Sequence, residues 1–95
     1  VLCWLKEPGK AQARQQIIDA SRSFASIPGV VSVRAGTSIP SSRTIVDDSF
    51  DVGILLAFRD EEAMQAYLVH PDHMKAVQEI IRPLVKKIVV YDFAE

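Results

Sequence analysis

The sequence predicts an α+β sandwich in which a four-stranded antiparallel sheet carries two helices on one face. Three observations lead there. Short apolar and β-branched runs alternate with helix-periodic stretches in the order β-α-β-β-α-β. Pro-Gly pairs at Pro8-Gly9 and Pro28-Gly29 punctuate the junctions. The 95 residues, 48% of them hydrophobic, are enough for one core and too few for two, so residues 1–95 form a single domain. That element order is the split arrangement of ferredoxin-like folds.

Each element has its own signal. Val1 to Leu5 (VLCWL) is an apolar run closed by Pro8-Gly9 and reads as the first strand. From Lys10 onward, Ala13, Ile17, Ala20, Phe24 and Ile27 recur at steps of four and three, which places them on one face of an amphipathic helix ended by Pro28-Gly29. Val30 to Gly36 (VVSVRAG) is strand two, and the polar stretch Thr37 to Ser49 with Pro40 is a long loop. Phe50 to Arg59 (FDVGILLAFR) reads as strand three, with Phe50, Val52, Ile54, Leu56 and Phe58 on one face and Asp51, Gly53, Leu55, Ala57 and Arg59 on the other. Asp60 suits an N-cap and Glu61 and Glu62 the positive end of a helix, which runs to about Val69 because Pro71 pushes His70 out of helical geometry. A second helical segment begins at Pro71, carries Met74, Val77, Ile81 and Leu84 as its apolar stripe, and is brought to an end by Pro83. Lys87 to Phe93 (KIVVYDF) is the expected last strand.

A sheet covered on one side should be polar on the other. Here the last strand puts Ile88 and Val90 on one face and Val89, Tyr91 and Phe93 on the opposite one. Leu2 and Trp4 alternate with Val1, Cys3 and Leu5 in strand one, and strand three keeps Leu55 and Ala57 on its second face. Both sides are apolar, and a chain of this length has nothing left to cover the second. A second copy would cover it. The sequence thus predicts a homodimer packed sheet to sheet, with Leu55, Ala57, Val89, Tyr91 and Phe93 as the interface core.

Composition excludes several functions. The net charge of -1, with lysines and arginines scattered along the chain, gives no electrostatic footprint for nucleic acid or a polybasic membrane anchor. No apolar run approaches the roughly 20 residues of a membrane helix. Cys3 is the only cysteine, which excludes a disulfide within the chain and a Cys-based zinc cluster; it lies in an apolar strand, where a thiol is inert. A lone thiol fits a reducing compartment, so the default location is cytoplasmic. The chain starts at Val1 without methionine, which leaves upstream residues, a cleaved signal among them, open.

Chemistry concentrates in Ala66 to Met74 (AYLVHPDHM), which holds both histidines and one of the two tyrosines. Phe58-Arg59-Asp60 leads into the helix before it, and Val89-Val90-Tyr91-Asp92-Phe93 closes the chain. The pattern Y-x-x-H-P-x-H at Tyr67 to His73, followed by a helix and that terminal segment, resembles the stress-responsive α/β-barrel (Dabb) family, as does Ile27-Pro28-Gly29-Val30 before strand two. The resemblance spans nearly the whole chain and implies a ferredoxin-like fold whose dimers form an α/β barrel. Many members are known only as stress-induced proteins, while a plant polyketide cyclase of the family performs an aldol condensation in a pocket between sheet and helices. Its catalytic tyrosine and histidine correspond to Tyr67 and His73 here; its first-strand histidine would fall upstream of Val1.

Two functions follow from different classes. One is a dimeric stress-associated domain that binds a small apolar or aromatic ligand between sheet and helices without turnover. The other is a cofactor-independent enzyme in which His73 takes a proton from a carbon acid and Tyr67 donates a hydrogen bond to the developing enolate. A histidine beside a helix start is also an ordinary cap or packing residue, and for His70, which precedes proline, a hydrogen bond to the backbone is the simplest role. Trp4, Phe24 and Phe58, with Tyr91, are candidates to line an aromatic cavity, although core packing explains such residues first. Arg43 and His70 are the further candidates to meet a ligand. No metal or other cofactor is expected. Pro71 breaks the spacing that would align His70 with His73 on a metal, and Asp47, Asp48 and Asp51, an acidic group near strand three, lack the glycine and alternating oxygens of an EF-hand.

Overall fold

A computed structural model describes residues 1–95. Its strands are β1 (Leu2–Leu5), β2 (Val30–Thr37), β3 (Val52–Phe58) and β4 (Val85–Val89). Its helices are α1 (Ala11–Arg22), α2 (Glu61–Leu68) and α3 (residues 71–84). The sheet order is β2-β3-β1-β4 with every neighbouring pair antiparallel, which is the expected ferredoxin-like sandwich. No helix is long and apolar enough to cross a membrane.

The stripe read from the sequence forms the core. Ala13, Ile17, Ala20, Phe24 and Ile27 are all buried, against Cys3 and Leu5 of β1, Val52 and Ile54 of β3, and Val85 of β4. Burial deprives the Cys3 thiol of solvent and pushes its pKa up, in keeping with an unreactive cysteine. The last turn of the first helical stretch tightens to a 3₁₀ turn, Ser23–Ser26. Three serines favour this: Ser21, Ser23 and Ser26 donate their hydroxyls back to the carbonyls of Ile17, Ala20 and Ser23. Gly29, at φ 86°, then turns the chain into β2 in a conformation that side chains resist.

α2 begins as expected. The Asp60 carboxylate accepts from the Ala63 N–H at 2.7 Å, and that bond holds its pKa below the usual carboxylate range. α3 runs through an α-helical start (Pro71–Ala76), a π turn (Val77–Ile81) and a final turn (Arg82–Leu84). The wide turn immediately precedes Pro83, which has no N–H for the carbonyl four residues back. Ile81 is buried, and the helix hands over directly to β4, with the Lys6 N–H donating to the Leu84 carbonyl at 2.9 Å.

Two sequence expectations need correction. The last strand is Val85–Val89 rather than Lys87 to Phe93. β1 is only four residues long and pairs Leu2 with Val89, so the residues after Val89 find no strand beside them. Tyr91 and Phe93 lie in an exposed terminal segment. Phe50 does not continue the face of Val52 and Ile54. Asp51 turns inward instead, its N–H donating to the Cys3 carbonyl and its carboxylate accepting from the Leu5 N–H, both at 2.8 Å. Phe50 thereby swings to the opposite face of the sheet, edge-on to Trp4 at 6.5 Å between ring centroids.

Candidate functional site

α2 and α3 meet at a tight joint, and the joint brings Tyr67 and His73 together. His70 is extended (φ -66°, ψ 134°), as a residue before proline must be. Its Nδ1 accepts from the Asp72 N–H at 3.1 Å, making the imidazole the N-cap of α3. His73, on the first turn of α3, folds back so that its Nδ1 meets the Leu68 carbonyl at 3.2 Å. A carbonyl only accepts, so Nδ1 carries the proton and, in the neutral ring, Nε2 holds the free lone pair.

The two rings pack at a 39° tilt with centroids 4.2 Å apart. Phe24 stands edge-on to both, at 5.7 Å from Tyr67 and 5.2 Å from His73, and Phe58 of β3 closes the group at 4.9 Å from Tyr67. The corner is therefore built from the end of the first helical stretch, β3, α2 and α3. Tyr67 is only 5% exposed, and burial pushes its phenol up to about 12. No buried side-chain oxygen lacks a partner, and no protein group pairs with the Tyr67 hydroxyl, so that oxygen keeps a trace of solvent contact. It is a donor that stays protonated at neutral pH. Burial lowers the pKa of His73, the bond to Leu68 opposes that, and His70 adds to it.

The other predicted site residues are elsewhere. Trp4 lies on the open face of the sheet, donating to the Ser49 hydroxyl at 3.1 Å, with the Lys87 ammonium 4.6 Å above its ring. Arg43 is exposed in the loop between β2 and β3. Trp4 and Arg43 thus cannot share one pocket with Phe24 and Phe58. The three aspartates serve separate parts of the loop: Asp47 accepts from Ser49, Asp48 from the Ser41 N–H, and Asp51 from Leu5. No three His, Cys, Asp or Glu side chains converge as metal ligands would.

Sequence reasoning missed a shallow groove of about 540 Å³ on the open face, lined by Leu2, Arg34, Phe50, Leu55, Tyr91 and Phe93 among others. Its floor is the directly paired Gly36 and Gly53. The available signal was the glycine inside strand three, which marks a close approach. A Cβ on Gly53 would meet the Phe50 ring at 3.3 Å. A second groove, of about 880 Å³, runs from β3 to Met64 and the terminal segment; neither groove is lined by Tyr67 or His73.

A family description, Stress responsive A/B Barrel Domain, matches residues 1–95. The chain belongs to this family. Among solved structures, the Dabb domain is similar to a Dabb family protein with a ferredoxin-like fold from Mesorhizobium loti MAFF303099, at 24% identity and a TM-score of 0.71, covering 90% of this chain and 82% of that one. It is similar also to a dimeric ferredoxin-like protein of unknown function from Thermobifida fusca YX, at 23% identity and a TM-score of 0.70, covering 90% and 77%. A third, a dimeric protein of unknown function and ferredoxin-like fold from Bacteroides fragilis NCTC 9343, shares 15% identity with a TM-score of 0.60, covering 90% and 82%. At these identities the likeness speaks for the fold. No curated protein matches the chain.

The His73 environment predicts a pH dependence. Its folded pKa lies below the ordinary 6.5, so as the pH falls the unfolded chain takes up the proton first. The stability gained by burying the neutral ring is complete above 6.5 and is lost as the pH falls through the folded value. Thermal melts at about pH 7.5 and about pH 5, which bracket the titration of imidazole, should show a larger loss of Tm in the unaltered Dabb domain than in His73→Phe.

Proposed function

We propose that this Dabb domain works as a homodimer, closed sheet to sheet into an α/β barrel, and holds a small apolar or aromatic molecule against the Tyr67–His73 corner without transforming it. The observation that carries the ligand reading is the corner: four rings meet between sheet and helices, with the nearly buried Tyr67 phenol beside a half-buried imidazole. Such a cluster can receive a planar guest against its rings when the corner opens, and offer it one donor and one acceptor to fix its orientation. Self-association is supported by the apolar open face, where Leu55 is 63% exposed, and by the dimeric descriptions of the Thermobifida and Bacteroides proteins. Trp4 on that face and Arg43 in the loop stand apart from the corner, and His70 serves it as the cap of α3.

A second reading, proton transfer or aldol chemistry, is favoured by one specific observation. The bond from Nδ1 to the Leu68 carbonyl selects the tautomer with a free Nε2, the form a general base needs, beside a phenol able to donate.

One experiment separates the two. Acetophenone, a small aromatic ketone with exchangeable α-protons, is titrated into the protein in D₂O while the His73 and Tyr67 rings are followed by NMR. Holding without turnover predicts saturable shifts of both rings and no acceleration of α-proton exchange. His73→Ala should then weaken binding and cost about 1 kcal/mol or more of stability, through the lost ring contacts. Accelerated exchange that disappears in His73→Ala with the Tm nearly unchanged would establish the enzyme reading instead. No shift of either ring would reject the corner as the binding surface.

A further inference from the structure

Both histidines of the chain lie at the joint that builds the corner. His70 caps α3 by accepting at Nδ1, which only a neutral imidazole can do. His73 fills the space between Phe24 and Tyr67 as a half-buried ring, a place that suits an uncharged side chain. Histidine is the side chain whose charge ordinarily changes between about pH 5 and 8. An alternative partner for a charged His70 is already in place, since the Asp72 carboxylate lies 3.9 Å from its Nδ1. The same nitrogen that accepts from the Asp72 backbone would, once protonated, turn to donate to the Asp72 side chain.

We propose that the α2–α3 joint is an acid-released latch: neutral His70 and His73 hold the start of α3 against the rest of the fold, and their protonation frees it and opens the Tyr67 corner. Three features support this. The two histidines flank Pro71, so their effects converge on one backbone hinge. No residue from Pro71 to Ala76 is fully buried, so the cap, the His73 ring and the partly buried Ala76 hold that end while Ile81 anchors the far one. At His73 the burial of the ring outweighs the one facing group that favours its charged form, the Leu68 carbonyl. Phe24 and the protonated Tyr67 are uncharged, and the Leu68 carbonyl accepts from Nδ1 in either state; only His70, which Asp72 faces, has an acidic partner.

The latch concerns access to the corner proposed above, yet its test needs no ligand, so its failure would leave the binding reading standing. Protons alone are the probe. Ring nitrogens and backbone amides are followed by NMR from about pH 8 to about pH 5, the range in which imidazole titrates. In the unaltered protein the Asp72 amide proton should move upfield with the midpoint of the His70 ring. Exchange of the amides of residues 72–76, corrected for the intrinsic rate, should rise roughly five-fold, as loss of a cap implies. His70→Asn supplies an amide oxygen that caps at every pH, and combined with His73→Phe it should abolish both responses. A flat Asp72 amide while His70 titrates, unchanged exchange, or an acid response that persists in the double variant would each overturn the proposal.

Discussion

Gly29→Ala should destabilise the domain by about 2–5 kcal/mol, because it meets two obstacles at once. Gly29 sits at φ 86°, where an L-residue is strained, and its missing side chain leaves the space that α2 occupies. A Cβ there would lie 2.6 Å from the Ala63 Cβ and 3.5 Å from its Cα, so α2 would have to move. The Gly29 carbonyl also accepts from the Arg59 N–H at 2.9 Å, which ties the turn before β2 to the entry of α2. Urea unfolding should show a lower midpoint with an unchanged slope. Trimming Ala63 to glycine in the same chain should recover part of the loss, since it removes the steric obstacle and leaves the φ strain.

Leu55→Asp should weaken self-association by about 100-fold or more, the effect of an unpaired charge in a desolvated interface. Leu55 projects from β3, near the middle of the sheet, beside Arg34 of β2 and away from the helices. A two-fold dimer uses the same patch on both copies, so each interface receives the carboxylate twice. The substitution leaves the helix-side core untouched, and far-UV circular dichroism should remain that of a folded chain. Loss of association together with loss of fold would mean instead that the monomer cannot stand alone.

Much of this architecture is legible in the sequence because periodicity reports burial directly. The steps from Ala13 to Ile27 specify one helical face, and all five residues are in the core. The resemblance carried by Tyr67 to His73 is likewise met by the family match over the whole chain. What periodicity cannot report is where a strand runs out of partners. The run KIVVYDF is as strand-like at Tyr91 as at Ile88, but β1 offers pairing only as far as Val89. Nor does alternation reveal that Asp51 spends its carboxylate on the Leu5 N–H and so sends Phe50 to the far face. The aromatic set was similarly underdetermined. Trp4, Phe24 and Phe58 are equivalent by type, and only the sheet register puts the first on one side and the other two beside Tyr67. The packing of Tyr67 on His73 follows from Pro71, which the sequence displays, and from the His73–Leu68 bond, which it does not.

Sedimentation equilibrium of the unaltered protein at about 10 μM, a concentration at which standard-sized interfaces persist, tests the sheet-to-sheet dimer most directly. A mass of about 21 kDa, twice the 10.5 kDa of the chain, is expected, falling to the single-chain value in Leu55→Asp. A mass of 10.5 kDa for the unaltered protein would contradict the account and leave the apolar open face without an occupant.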